Sequence, residues 1–194
     1  MKDVAQLKEE FIEIYTQKIK RKGADKLLQW LQTQDFFTAP ASTRYHAAYE
    51  GGLVEHSLNV YHTLMQRFDP EQDNEESFAL VSLLHDICKT GFYGVEMRNR
   101  KNPQGVWESV PFYTIDDQFP YGHGEKSVFL IERFFRLNTE EAVAIRWHMG
   151  GFDDAVRGGS FSLAHAYAKY PLAVKLHIAD LEATYLQESR GTEE

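Results

Sequence analysis

Apolar residues recur at helical spacing along most of the chain. Val4, Leu7, Phe11, Ile14 and Ile19 alternate with charges from Asp3 to Lys20 and predict a first helix. Gly23 breaks it, and Leu27, Leu28 and Leu31 give a second helix, Ala24 to Gln32, its apolar face. Segment 1–34 therefore reads as a helical hairpin packed on a core. Asp35 to Glu50 reads as a loop. Gly51-Gly52 opens a helix from Leu53 to about Phe68, ended by Pro70. Asp73 or Asn74 is a good N-cap for the next helix, with Glu75 and Glu76 in its first turn. Its apolar run continues through Leu83-Leu84-His85-Asp86-Ile87-Cys88-Lys89, and Gly91 suits a left-handed cap.

The texture then changes. Val95 to Arg100 and Val106 to Val110 flank Asn102-Pro103-Gln104-Gly105 and read as a β-hairpin, around 94–115. The insertion as a whole, 92–120, is either a flap over a site or a surface decoration. Helices resume at Gly124 to Arg136. Asn138 with Glu141 resembles a capping box, opening a helix to about Met149 that Gly150-Gly151 closes. After a Gly- and Asp-containing loop, Leu163 to Lys169 is short and helical. Pro171 suits the first position of a last helix, whose core stripe is Leu172, Leu176, Ala179, Ala183 and Leu186. The expected fold is all-α with a small hairpin insertion, arranged as one domain with its core at 45–188.

Composition narrows the function. A 194-residue chain with 43% hydrophobic residues is long enough for a real core. Its net charge of −8 argues against sequence-independent nucleic-acid binding, which needs Lys and Arg against phosphates. The single cysteine, Cys88, allows no internal disulfide. The N-terminus carries no apolar signal region, and no run approaches the roughly 18 apolar residues of a membrane span. A soluble cytoplasmic protein with no membrane partner is expected; oligomeric state is open.

The candidate chemistry sits in isolated polar residues within apolar runs. His85-Asp86 is such a pair, and a buried ionisable pair is costly unless it is bonded or metal-bound. His56 follows Gly51-Gly52 by one turn, His148 precedes Gly150-Gly151, and His123 lies between two glycines at a helix start. Asp180 stands among Ile178, Ala179 and Leu181. Single ligands from several facing helices are what a metal site inside a bundle requires. A core His-Asp hydrogen bond would explain the central pair alone.

Gly51-Gly52-Leu53-Val54-Glu55-His56, Leu84-His85-Asp86-Ile87-Cys88-Lys89 and Ile178-Ala179-Asp180 together resemble the HD-domain metal-dependent phosphohydrolase superfamily, over roughly Tyr45 to Gln187. The segments around His123 and His148 resemble those of the subset with two extra histidines. The resemblance implies a helical core and two divalent ions, open among Mn, Fe, Co, Ni, Zn and Mg. His56, His85, Asp86 and Asp180 would hold the first ion, and Asp86 would bridge to a second held by His123 and His148. It implies hydrolysis of a phosphate ester, of a nucleotide or related small molecule, by a metal-activated water. Lys89, one turn past Asp86, would contact substrate phosphate; a solvated Lys near a helix C-terminus is the alternative. Arg146, Lys126 and Arg44 are weaker substrate-binding candidates. A non-catalytic metal- or nucleotide-binding regulatory module and a di-iron oxygenase remain alternatives. Of the other polar residues, Glu55 would bond a ligand imidazole or face solvent, His46 would lie near the pocket mouth, and His177 is a spare ligand or a structural His. His62 falls on another face of its helix, and His165 has no supporting context.

Overall fold

A computed structural model describes residues 3–188; Met1 and Lys2 of the expected N-terminal segment lie outside them. Nine α-helices are found among the described residues: α1 Val4–Lys18, α2 Ala24–Thr33, α3 Gly52–Met65, α4 Glu75–Leu84, α5 His123–Glu132, α6 Thr139–Trp147, α7 Asp154–Arg157, α8 Ser162–Lys169 and α9 Pro171–Glu182. Strands β1 Tyr93–Lys101 and β2 Trp107–Ile115 form one antiparallel hairpin between α4 and α5. The all-α architecture with a hairpin insertion is as expected.

The core follows from the apolar stripes. In α4 every residue from Ser77 to Leu84 is buried, so this helix is the central post. Helices α1, α3, α6 and α9 pack around it. Phe11 of α1 meets Phe36 and Phe37 at ring-centroid distances of 5.2 and 5.4 Å, which anchors the N-terminal helices on the core. Arg21 donates to both carboxylate oxygens of the buried Glu141 at 2.7 and 2.6 Å, and Ser77 Oγ donates to the same group at 2.6 Å. One carboxylate thus ties the segment after α1 to α4 and α6. The caps at Asn74, Asn138 and Pro171 are where the sequence puts them.

Three expectations change. The helix expected to run to Gly91 stops at Leu84. His85 Nδ1 donates to the Ser82 carbonyl, Asp86 leaves helical geometry (φ −102°, ψ 17°), and the chain tightens into a 3₁₀ turn, Ile87–Lys89. Leu186 is exposed, not part of the core stripe, because Ala183–Gln187 is a π-helical turn that shifts the phase of the last side chains. The strands are longer than the pattern gave. β2 continues through Pro111 because that residue's backbone nitrogen points away from β1, where no ladder donor is needed.

Candidate metal centre

Five separate elements deliver the candidate residues to one place. His56 sits one turn into α3. That helix starts where it does because Gly51 takes φ +80° and Gly52 lies against the 41–47 loop, a Cβ there falling 1.9 Å from the Ala47 carbonyl oxygen. His85 and Asp86 follow the last turn of α4, turned inward by the break at Leu84. His123 is the first residue of α5 and His148 caps α6. The two are neighbours because α5 and α6 nearly touch: a Cβ on Gly124 would lie 2.3 Å from the Arg146 carbonyl oxygen. Asp180 comes from α9.

Asp86 is the hub. Its Oδ1 lies 2.7 Å from His123 Nε2 and 3.3 Å from His148 Nε2. Its Oδ2 lies 3.6 Å from the Nε2 atoms of both His56 and His85, and 2.6 Å from Lys89 Nζ. His56 Nε2 is also 3.3 Å from Asp180 Oδ1. The candidate ligand atoms of His56, His85 and Asp86, of His85, His148 and Asp180, and of Asp86, His123 and His148 each gather within 4.8 Å. All six residues expected from the sequence are therefore brought together.

The protons are placed by what the far nitrogens touch. His85 Nδ1 is 2.8 Å from the Ser82 carbonyl and His148 Nδ1 is 2.7 Å from the Ile145 carbonyl. A carbonyl only accepts, so each Nδ1 carries the hydrogen and each neutral ring aims a lone pair from Nε2 into the cavity. Among the described residues His148 Nε2 is buried with no hydrogen-bond partner. An orphaned acceptor among carboxylates fits a cation there. Electrostatics agree. Burial disfavours charge on His56, but Glu188 and Asp180 outweigh it and raise its pKa to about 10. Burial, against the pull of Asp86 and with the opposing charge of His148, lowers His85 to about 3. Burial also opposes the charge of Asp86 and of Asp180, yet Lys89 and His85 hold the first, and His56 the second, far below the usual carboxylate range. A field that charges the buried His56 imidazole would hold a cation as well.

The weaker candidates are disposed differently. Lys89 is nearly buried against Asp86; burial opposes its charge, but Asp86 and then Tyr93 raise its pKa. Lys126 is also buried, not a surface charge, with Nζ 2.6 Å from Asp117. Arg146 is held by Asp153 at 2.7 Å and Glu125 at 2.5 Å and stacks over Trp147. Arg44 is exposed beside Tyr45. Glu55 is half-buried and accepts from Tyr49 Oη at 2.6 Å instead of from a ligand imidazole. His62 pairs with Glu10 on the surface, and His165 is exposed. His177 donates to the His148 carbonyl at 2.6 Å, so it braces a candidate ligand from its backbone side.

Two residues stand closer to the site than the sequence suggested. Glu188 accepts from His56 Nδ1 at 2.9 Å and from Asn59 at 3.1 Å. No spacing rule could have found it, since 132 positions separate it from His56. Cys88 Sγ lies 3.5 Å from His123 Nδ1; its place beside the His-Asp pair was the only signal. His46 lies at the edge, its ring 5.1 Å from that of His56, where burial and the nearby His56 lower it to about 4.

The family model of the HD domain matches residues 53–185, from the first turn of α3 into the π-helical turn that follows α9. The chain belongs to the HD domain family. No curated protein and no solved structure gives a significant match. HD domains bind divalent metals, and most members of the superfamily are metal-dependent phosphohydrolases acting on phosphorylated small molecules. The His and Asp groups of this HD domain are compatible with metal binding. Among the described residues no helix is long and apolar enough to cross a membrane.

Proposed function

We propose that this HD domain is a phosphohydrolase that uses two divalent ions to cleave the phosphate ester of a nucleotide or related small molecule. The observation that carries the reading is the divided carboxylate of Asp86. One oxygen faces His123 and His148, and the other faces His56 and His85, as a bridging group requires. His56, His85, Asp86 and Asp180 would hold one ion, and Asp86, His123 and His148 the other. Imidazole with carboxylate suits Mn, Fe, Co, Ni or Zn better than calcium, which takes oxygen donors. When bound, a pair of such ions supplies an activated water and neutralises phosphoryl charge.

The remaining groups position and screen. Lys89 keeps its charge at the Asp86 side of the cavity and would share it with a substrate phosphate, orienting the ester for in-line attack. Arg146 and Lys126 already answer carboxylates, so we assign them to holding the loops around His148 and His123. Arg44, two residues before His46, is a second phosphate contact at the mouth.

Hydrolysis of p-nitrophenyl phosphate and a nucleotide panel with added Mn or Co tests the reading, with Asp86→Asn and His85→Ala as controls. Metal-stimulated product release lost in both variants is expected. Unchanged turnover in either variant contradicts it. Saturable nucleotide binding without product would identify a binding module instead.

A further inference from the structure

The β1–β2 hairpin stands off the helical body with an open edge. Seven of the nine residues of β1 are exposed. Tyr93, Val95 and Met97 share one face with Trp107, Pro111, Tyr113 and Ile115 by register. On that face Val95, Met97, Trp107 and Ile115 are each more than 60% exposed. An isolated two-stranded hairpin with such a face is marginal in water and gains from further strands.

The ladder decides which edge is free. Asp116 N–H donates to the Phe92 carbonyl and Asn102 N–H to the Val106 carbonyl, both at 2.9 Å. These bonds flank β1 and fix its parity: even-numbered residues bond to β2, while Tyr93, Val95, Met97, Asn99 and Lys101 turn their backbone groups outward. On β2 the central outward position is Pro111, opposite Met97, and it has no N–H to offer. The β2 edge is thus blocked at its middle, and among the described residues the β1 edge is open along its length.

We propose that two copies of the chain associate through β1, edge to edge and antiparallel about a two-fold axis at Met97, giving a four-stranded sheet. The sequence of β1 is self-complementary in that register. All nine residues pair, outward backbone groups meet outward backbone groups, and Met97 lies beside Met97 of the partner subunit. Glu96 then stands opposite Arg98 of the partner subunit, twice by symmetry. Registers centred on Glu96 or Arg98 set like charges against each other. The exposed apolar face becomes continuous across the two hairpins.

Sedimentation equilibrium of the full chain over a wide concentration range tests this. The wild type should move from the 22.4 kDa monomer toward twice that mass. Glu96→Arg should weaken association roughly tenfold, since both charge pairs become repulsive. Adding Arg98→Glu to it should restore the wild-type constant, because the exchanged charges again face opposite partners. Met97→Pro removes the central outward donor and should give a monomer whose circular dichroism matches the wild type. If that variant fails to fold, the charge exchange decides alone. A monomer at every concentration overturns the proposal, as does a dimer indifferent to Glu96→Arg or a double variant that does not recover.

Discussion

The Nε2 atoms of His56 and His85 face each other across 3.2 Å. Each ring donates from Nδ1, to Glu188 and to the Ser82 carbonyl, so two neutral rings would oppose lone pair to lone pair. Something positive must sit between or beside them, and a dication serves better than a proton because Asp86 and Asp180 also close on the same point. Metal should therefore stabilise the fold. Adding Mn, Co or Zn to chelator-treated protein, at about a hundredfold excess over Kd, should raise Tm by roughly 5–10 °C. His85→Ala should abolish the rise, measured by thermal denaturation. A wild type with no shift would count against a preformed site.

Glu188 fixes the tautomer and the plane of His56 through the 2.9 Å contact to Nδ1. Removing such a partner typically weakens a site without dismantling it. Glu188→Ala should lower metal affinity roughly 10–100-fold, with Glu188→Gln recovering part of it, since its amide oxygen can still accept. Metal titration followed by calorimetry reads this. Equal affinity in Glu188→Ala would make the contact incidental.

Gly124 sets how near α5 comes to α6, and so how near His123 comes to His148. Gly124→Ala would force its methyl into the Arg146 carbonyl, 2.3 Å away. Backbone cannot yield as a side-chain tip can. A loss of about 1–3 kcal/mol in urea unfolding is expected, as for other overpacked contacts. Metal bound by the Asp86, His123 and His148 group should weaken more than that at His56. Unfolding identical to wild type would show the helices free to separate.

The Arg21–Glu141–Ser77 cluster predicts a pH dependence of stability. Burial raises the Glu141 pKa, but the bonds from Arg21 and Ser77 outweigh it and leave it below the ordinary 4.5. The unfolded chain then binds the proton more readily than the folded one. The stability this group contributes is full above pH 4.5 and is lost as pH falls through the lower, folded value. Glu141→Gln should cost about 2 kcal/mol at neutral pH, with the difference from wild type shrinking under acid conditions. Urea unfolding at several pH values checks the sign; a gap that widens in acid would contradict it.

The helices and the six convergent residues were legible because each obeys a local rule. His85-Asp86 interrupts an otherwise apolar run, Asn138 and Glu141 form a reciprocal cap, and Gly51-Gly52 marks the entry to α3. What escaped depends on tertiary contact. The end of α4 is set by His85 reaching back to a carbonyl, which helical spacing does not encode. Glu55 precedes His56 and so looked like its partner, yet successive helical positions point apart, and Tyr49 claims the carboxylate. Glu188 lies beyond the last helical pattern and meets His56 only because α9 folds back along α3. Leu186 kept its periodicity in sequence while the backbone changed pitch beneath it.

The proposed hydrolysis requires metal at Asp86 and the residues around it. Elemental analysis of the purified protein tests it most directly, with Asp86→Asn and Asp180→Asn prepared alongside. More than one equivalent of transition metal per wild-type chain is expected, with a partial loss in Asp180→Asn and near-complete loss in Asp86→Asn, since the Asp86 carboxylate serves both groups. A wild-type protein that stays metal-free after incubation with Mn, Co, Fe and Zn, or an Asp86→Asn variant as fully loaded as the wild type, would contradict it.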